Sequence, residues 1–212
     1  MIRIYLIRHG ETAGNKEGRF RGRTDFPLNE RGLEQAESLA AELQDIPFSN
    51  IFCSPLIRAT KTAEIINRFH GCSIQICEEI NNAFLGNWEG KLKTEVKNKF
   101  PNLYQIWLEN PEQLNVKGME RIDQIRERSG QFIRKLVQDL DKHEEIHLAV
   151  VSHRAVFKPM IADLIGIQAP YFWKIHMETA SYSIIEYSDE RGFLLYQLNQ
   201  NKHLTEFVVE KE

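Results

Sequence analysis

The sequence predicts an α/β fold, a three-layer sandwich in which a mostly parallel central sheet carries helices on both faces. Three observations support this. Apolar runs at Ile2 to Ile7 and Ile146 to Val151 are short and rich in β-branched residues, as core strands are. From about Met119 to Asp141, Ile122, Ile125, Phe132, Ile133, Leu136, Val137 and Leu140 recur at helical spacing. Strand and helix patterns also alternate along the chain, which is how crossover-connected parallel strands read.

The first strand, Ile2 to Ile7, ends in Arg8-His9-Gly10. Residues 8 to 29 form a long polar loop with no sustained periodicity, and long loops inside compact domains tend to shape binding sites. Asn29 is a fitting cap for a helix with Leu33, Ala36, Leu39, Ala40 and Leu43 on its inner face, closed by Pro47. A second strand, Asn50 to Cys53, leads through Ser54-Pro55 into a helix over residues 56 to 69, with Ala59, Ala63, Ile66 and Phe69 inward. Ser73 to Ile76 reads as a third strand. Residues 80 to 117 form a lid-like excursion over the sheet, with short helical pieces broken by Pro101 and Pro111. After the long helix and the strand Ile146 to Val151 come Ser152-His153-Arg154 and a helix from Ala155 to Ile165. Strands Tyr182 to Tyr187 and Phe193 to Leu198 close a hairpin around Asp189-Glu190-Arg191-Gly192. The expectation is a single domain over residues 1–212.

Composition narrows the class. The 212 residues are 42% hydrophobic and 27% charged with a net charge of -3, an ordinary globular balance without the basic excess that nucleic acid binding favours. Met1-Ile2-Arg3 enters the first strand directly and no apolar run reaches membrane-spanning length, so a cytoplasmic protein with no membrane partner is expected. Cys53, Cys72 and Cys77 are odd in number and unpatterned, which reads as reduced structural thiols. Oligomeric state leaves no readable pattern.

Three strand ends carry ionisable groups: Arg8 and His9 after the first, Arg58 beyond the second, and His153 after the strand at 146–151. If these strands are neighbours, the groups converge where ligands bind in open α/β sheets. Two guanidinium forks and two imidazoles suit a phosphoryl group, and a neutral imidazole among them can attack phosphorus. Such chemistry calls for no metal and no cofactor.

Five motifs in order extend that reading. They are Leu6 to Thr12 with Asn15, Arg21-Gly22, Asp25, Pro27-Leu28, Gly32 and Gln35-Ala36; Ser54-Pro55-Leu56 with Arg58-Ala59 and Thr62-Ala63; Gly86-Asn87-Trp88-Glu89-Gly90; Met119-Glu120 with Arg128; and Val151-Ser152-His153. Together they resemble the histidine phosphatase superfamily, the phosphoglycerate mutase-like proteins, from residue 2 to about 160. The resemblance implies an α/β sandwich, a small-molecule phosphate ester as substrate, and a phosphohistidine intermediate on His9. Arg8, Arg58 and His153 would form the phosphate pocket. Asn15, Arg21 and Gly22 would contribute from the loop above it.

Two positions depart from the family pattern. The glutamate expected four residues before Gly86, which would protonate the leaving oxygen, is Asn82 here, and an amide cannot exchange a proton in that way. Glu78, Glu79 and Glu89 are the alternative acids, although each is more simply a solvated surface carboxylate. Arg154 stands where the family has glycine, and it either enters the pocket or turns to the surface. The resulting expectation is a slow phosphatase, or one preferring leaving groups that need little protonation. A cofactor-dependent phosphoglycerate mutase and a weakly active phosphate-binding protein are the alternatives. His143-Glu144-Glu145-Ile146-His147 matches the zinc pattern H-E-x-x-H, but it straddles a helix end and a strand start, so it reads as a chance match.

Overall fold

A computed structural model of the protein describes residues 1–140 and 144–207. Its sheet contains β1 (Ile2–Arg8), β2 (Phe48–Cys53), β3 (Ser73–Ile76), β4 (Ile146–Ser152), β5 (Tyr182–Ser188) and β6 (Gly192–Gln200), in the order β3-β2-β4-β1-β5-β6. The first four positions are parallel, whereas β5 is antiparallel to β1 and β6 is antiparallel to β5. The helices are α1 (Ala13–Lys16), α2 (Glu30–Leu43), α3 (Ile57–Asn67), α4 (Lys93–Lys99), α5 (Pro101–Glu109), α6 (Ile122–Gln138) and α7 (Arg154–Leu164). No helix among the described residues is long and apolar enough to cross a membrane.

The period of two in a strand divides the core. Ile2, Ile4 and Leu6 of β1, with Leu148 and Val150 of β4, meet the apolar stripes of α6 and α7. Tyr5, Ile7, Ala149 and Val151 face the opposite way, onto α2 and α3. Both central strands are therefore buried on both faces, which is why they read as continuous apolar runs. The connection after β1 runs to one side of it and the connection after β4 runs to the other. The β1/β4 crevice is thus a topological switch point, where a ligand site is expected.

Several boundaries differ from the sequence expectation. The loop after β1 contains the single turn α1, held by Thr12 and Asn15. Asn29 does cap α2, its side chain accepting the Gly32 N–H at 2.8 Å, but α2 ends at Leu43, before Pro47. Leu33 and Phe69 are exposed although both satisfy helical spacing; α3 ends at Asn67, so Phe69 lies beyond it. The long helix is shorter than its periodicity suggests at both ends. Pro101 opens α5 from its first turn, where a missing N–H costs nothing. His143 of the H-E-x-x-H pattern lies outside the described residues, and His147 sits inside β4.

Residues 80–117 carry a small core of their own, with Phe20, Trp88, Val96, Tyr104 and Leu114 buried together. Glu112 fastens this segment to the turn before β5, because its Oε1 accepts the N–H groups of Tyr171 and Phe172 at 2.6 and 2.8 Å.

The loop after β1 presses against the start of α2 so closely that Gly32 has no room for a side chain: a Cβ there would collide with the Glu11 carbonyl oxygen. Gly32→Ala is therefore expected to lower stability by about 1–3 kcal/mol through forced backbone movement, read as a lower urea midpoint. An unchanged midpoint would contradict the close packing.

Candidate active site

The β1/β4 register sets the geometry. Arg8 pairs with Ser152, so His9 and His153 emerge side by side one residue later, where the His9 N–H donates to the Ser152 carbonyl at 3.1 Å. The two ring centroids are 5.0 Å apart. Strand β2 ends at the same level, and Ser54 places its Oγ 2.8 Å from His153 Nε2. Three neighbouring strand ends thereby deliver one cluster.

His9 is buried, with Nδ1 at 2.7 Å from the Gly10 carbonyl oxygen. A carbonyl only accepts, so Nδ1 carries the proton and Nε2 presents its lone pair. Burial and the charges of Arg58, Arg8 and Arg21 hold His9 well below the ordinary imidazole value. His153 is lowered for the same reasons, with burial and Arg58 foremost, and its buried Nδ1 has no hydrogen-bond partner.

Arg8 reaches the cluster from the end of β1 and donates to the Met177 carbonyl at 2.6 Å. Arg58, fully buried in the first turn of α3, donates to the carbonyls of Thr24 and Gly22 at 3.0 and 2.9 Å. Burial brings its pKa down to about 10, opposed by Asp25, so it remains a cation at neutral pH. Its Nε has no partner. Thr62, one turn further along α3, bonds the Gly10 N–H and the Arg58 carbonyl, tying the loop after His9 to the helix that carries the arginine.

Asn82 donates through Nδ2 to the Gly22 carbonyl at 2.7 Å, and its buried Oδ1 has no partner. Gly22 is left-handed (φ 50°), and a side chain there would strike the Glu89 carboxylate. Glu89 itself accepts the N–H groups of Arg23 and Leu85 at 2.9 and 3.0 Å. It therefore braces the loop that Arg58 and Asn82 grip from below.

A cavity of about 850 Å³, including its open mouth, joins most of these groups. Arg8, His9, Arg21, Gly22, Asn82, His153 and Arg154 all line it, so Arg154 reaches the pocket. Arg58 and Asn15 are buried but do not line the cavity, and Asn15 directs its side-chain oxygen to Thr12. Glu78 and Glu79 are exposed on a 3₁₀ turn away from it. Glu120, which does line it, is engaged by Arg128 at 2.6 and 3.0 Å. The roles of Ser54, Thr62 and Glu112 escape sequence reasoning because each acts on a residue far away in the chain.

The sequence pattern of the histidine phosphatase superfamily (branch 1) matches residues 4–200. The chain belongs to that superfamily. It is 33% identical over 210 residues to phosphoserine phosphatase 1 of Hydrogenobacter thermophilus, covering 99% of this chain and 98% of that one. It is 31% identical over 185 residues to the adenosylcobalamin/alpha-ribazole phosphatase of Escherichia coli, covering 87% and 90%. Among solved structures, Bacillus stearothermophilus YhfR superposes with a TM-score of 0.89 at 28% identity, over 96% of this chain and 99% of that one.

In this histidine phosphatase superfamily member, neutral imidazoles carry a cost in acid. Once unfolded, His9 and His153 take up protons as pH falls through about 6.5, the ordinary imidazole value. Folded, they do not, so the unfolded state binds more protons and stability falls below that pH. Lowering the pH from 7.5 to 5.5 is expected to remove about 1–3 kcal/mol, given ~1.4 kcal/mol per pH unit for each proton. Urea unfolding of the wild type and of a His9→Gln, His153→Gln double variant checks this. An identical pH slope in both would contradict the assignment.

Proposed function

We propose that this chain is a phosphomonoesterase that moves the phosphoryl group of a small phosphate ester onto His9 Nε2 and then to water. The observation that supports this most is the locked His9 tautomer, with an open Nε2 among buried cations. The two relatives, both phosphatases, favour a small phosphate ester as substrate. In the first step Nε2 attacks phosphorus, an N–P bond forms and the P–O bond to the leaving group breaks. Arg8, Arg21 and His153, which line the cavity, stabilise the charge on the transferring oxygens, and the buried charge of Arg58 supports them from behind. In the second step water attacks, the N–P bond breaks, and phosphate leaves with His9 restored.

Asn82 shapes the first step. Its amide keeps the donor that holds Gly22 but supplies no proton to the departing oxygen. A leaving group that is stable as its own anion suits such a site. The same feature favours a second reading, a protein that binds phosphorylated molecules and turns them over weakly.

Incubation with an aryl phosphate in the absence of added metal separates these. Phosphate release that falls by about 10⁴-fold or more in His9→Ala is expected for the nucleophile, whereas equal release from both proteins overturns the proposal. Asn82→Glu is expected to raise turnover of an alkyl phosphate by about 10²–10⁴-fold, the usual worth of a placed acid. No gain there would mean that Asn82 does not occupy the acid position.

A further inference from the structure

Beyond its cationic end, the cavity has a wall that the proposed chemistry does not use. Phe20, Trp107, Leu114, Met119, Ile125 and Phe172 line it, drawn from five separate segments of the chain. Apolar surface facing a cavity is what a ligand pocket offers to an apolar ligand body.

The wall is also held in shape. Glu112 fixes the backbone at Tyr171 and Phe172, and the Trp173 indole N–H donates to the Trp107 carbonyl at 2.9 Å. Lys158, buried in α7, stands 4.8 and 4.9 Å from the ring centres of Phe172 and Trp173. Rings pinned in this way cannot collapse into the space they border, so binding there carries little ordering cost.

The charged part of the lining is mostly cationic, with Arg19, Arg21, Lys93 and Arg154 bordering the cavity, which argues against an ammonium group on the substrate. Among the described lining residues Glu120 is the one carboxylate. Both its oxygens already accept from Arg128, and one also accepts the Phe84 N–H at 3.2 Å. A substrate ammonium would have to break that pairing.

We propose, on the basis of the phosphatase reading above, that the site selects phosphomonoesters whose leaving group is bulky, apolar and free of positive charge, an extended aryl alcohol being the simplest case. The apolar wall takes the leaving group while the phosphoryl group meets His9. Such an alcohol departs readily as its anion, which accords with the amide at Asn82.

Phenyl and 4-biphenylyl phosphate test this, because their leaving phenols are of similar acidity and differ by one ring. The biphenylyl ester is expected to show ~30-fold higher kcat/KM, mostly through KM, the order expected for burying a further ring. Calorimetry with the corresponding phosphonates, which do not turn over, is expected to show a similar ratio in Kd. Met119→Asp should bring both ratios below about fivefold if the wall supplies them. Equal values for the two esters and the two phosphonates, or a preference for phosphoserine over both esters, would overturn the inference while leaving the phosphatase reading standing. Phosphonates that rank as expected without release from either ester would support the apolar wall and sink the phosphatase reading instead.

Discussion

Two guanidinium groups, Arg8 and Arg58, are held out of water beside two buried imidazoles, and the rest of the site depends on that arrangement. Their charges and the burial keep His9 neutral, so it retains the lone pair that a nucleophile needs. The same charges attract a phosphate dianion. Burying cations is costly unless they are hydrogen-bonded, and the fold meets that cost with backbone carbonyls. Met177 accepts from Arg8, while Gly22 and Thr24 accept from Arg58. The loop after β1 therefore owes its path to the arginine it covers, and Gly22, Glu89 and Asn82 maintain that path.

Much of this was legible in the sequence, for a physical reason. Strands buried on both faces leave apolar runs that end sharply, so β1, β2 and β4 and the groups at their ends could be read directly. Helix boundaries were less so. Leu33 and Phe69 fit the spacing of an inner face, but periodicity does not fix where a helix ends or how wide its buried face is, and Phe69 lies past the end of α3. The convergence of Arg8, His9, Arg58 and His153 was readable only on the condition that their strands were neighbours, which the β1/β4 and β2/β4 registers satisfy.

The supporting groups were not legible. Ser54 meets His153 across 99 positions of sequence, and Glu112 meets Tyr171 across 59. Neither pairing leaves a local pattern. Asn82 was readable as a departure from a motif, yet its structural work, donating to Gly22, depends on a loop 60 residues away. Sequence likewise left Arg154 open between surface and pocket, and the first turn of α7 takes it to the cavity. The site thus joins a cationic end fixed by strand termini to an outer wall fixed by Glu112, Trp173 and Lys158, and the two ends rest on separate sets of contacts.

The central claim is that His9 is a neutral imidazole, protonated on Nδ1, at the pH where the protein works. Nitrogen NMR of the ¹⁵N-histidine-labelled protein between pH 5 and 8 tests it directly. The account predicts His9 resonances of the Nδ1–H tautomer whose titration is displaced well below the ordinary imidazole value. A His9 that titrates near 6.5, or that carries its proton on Nε2, would contradict it.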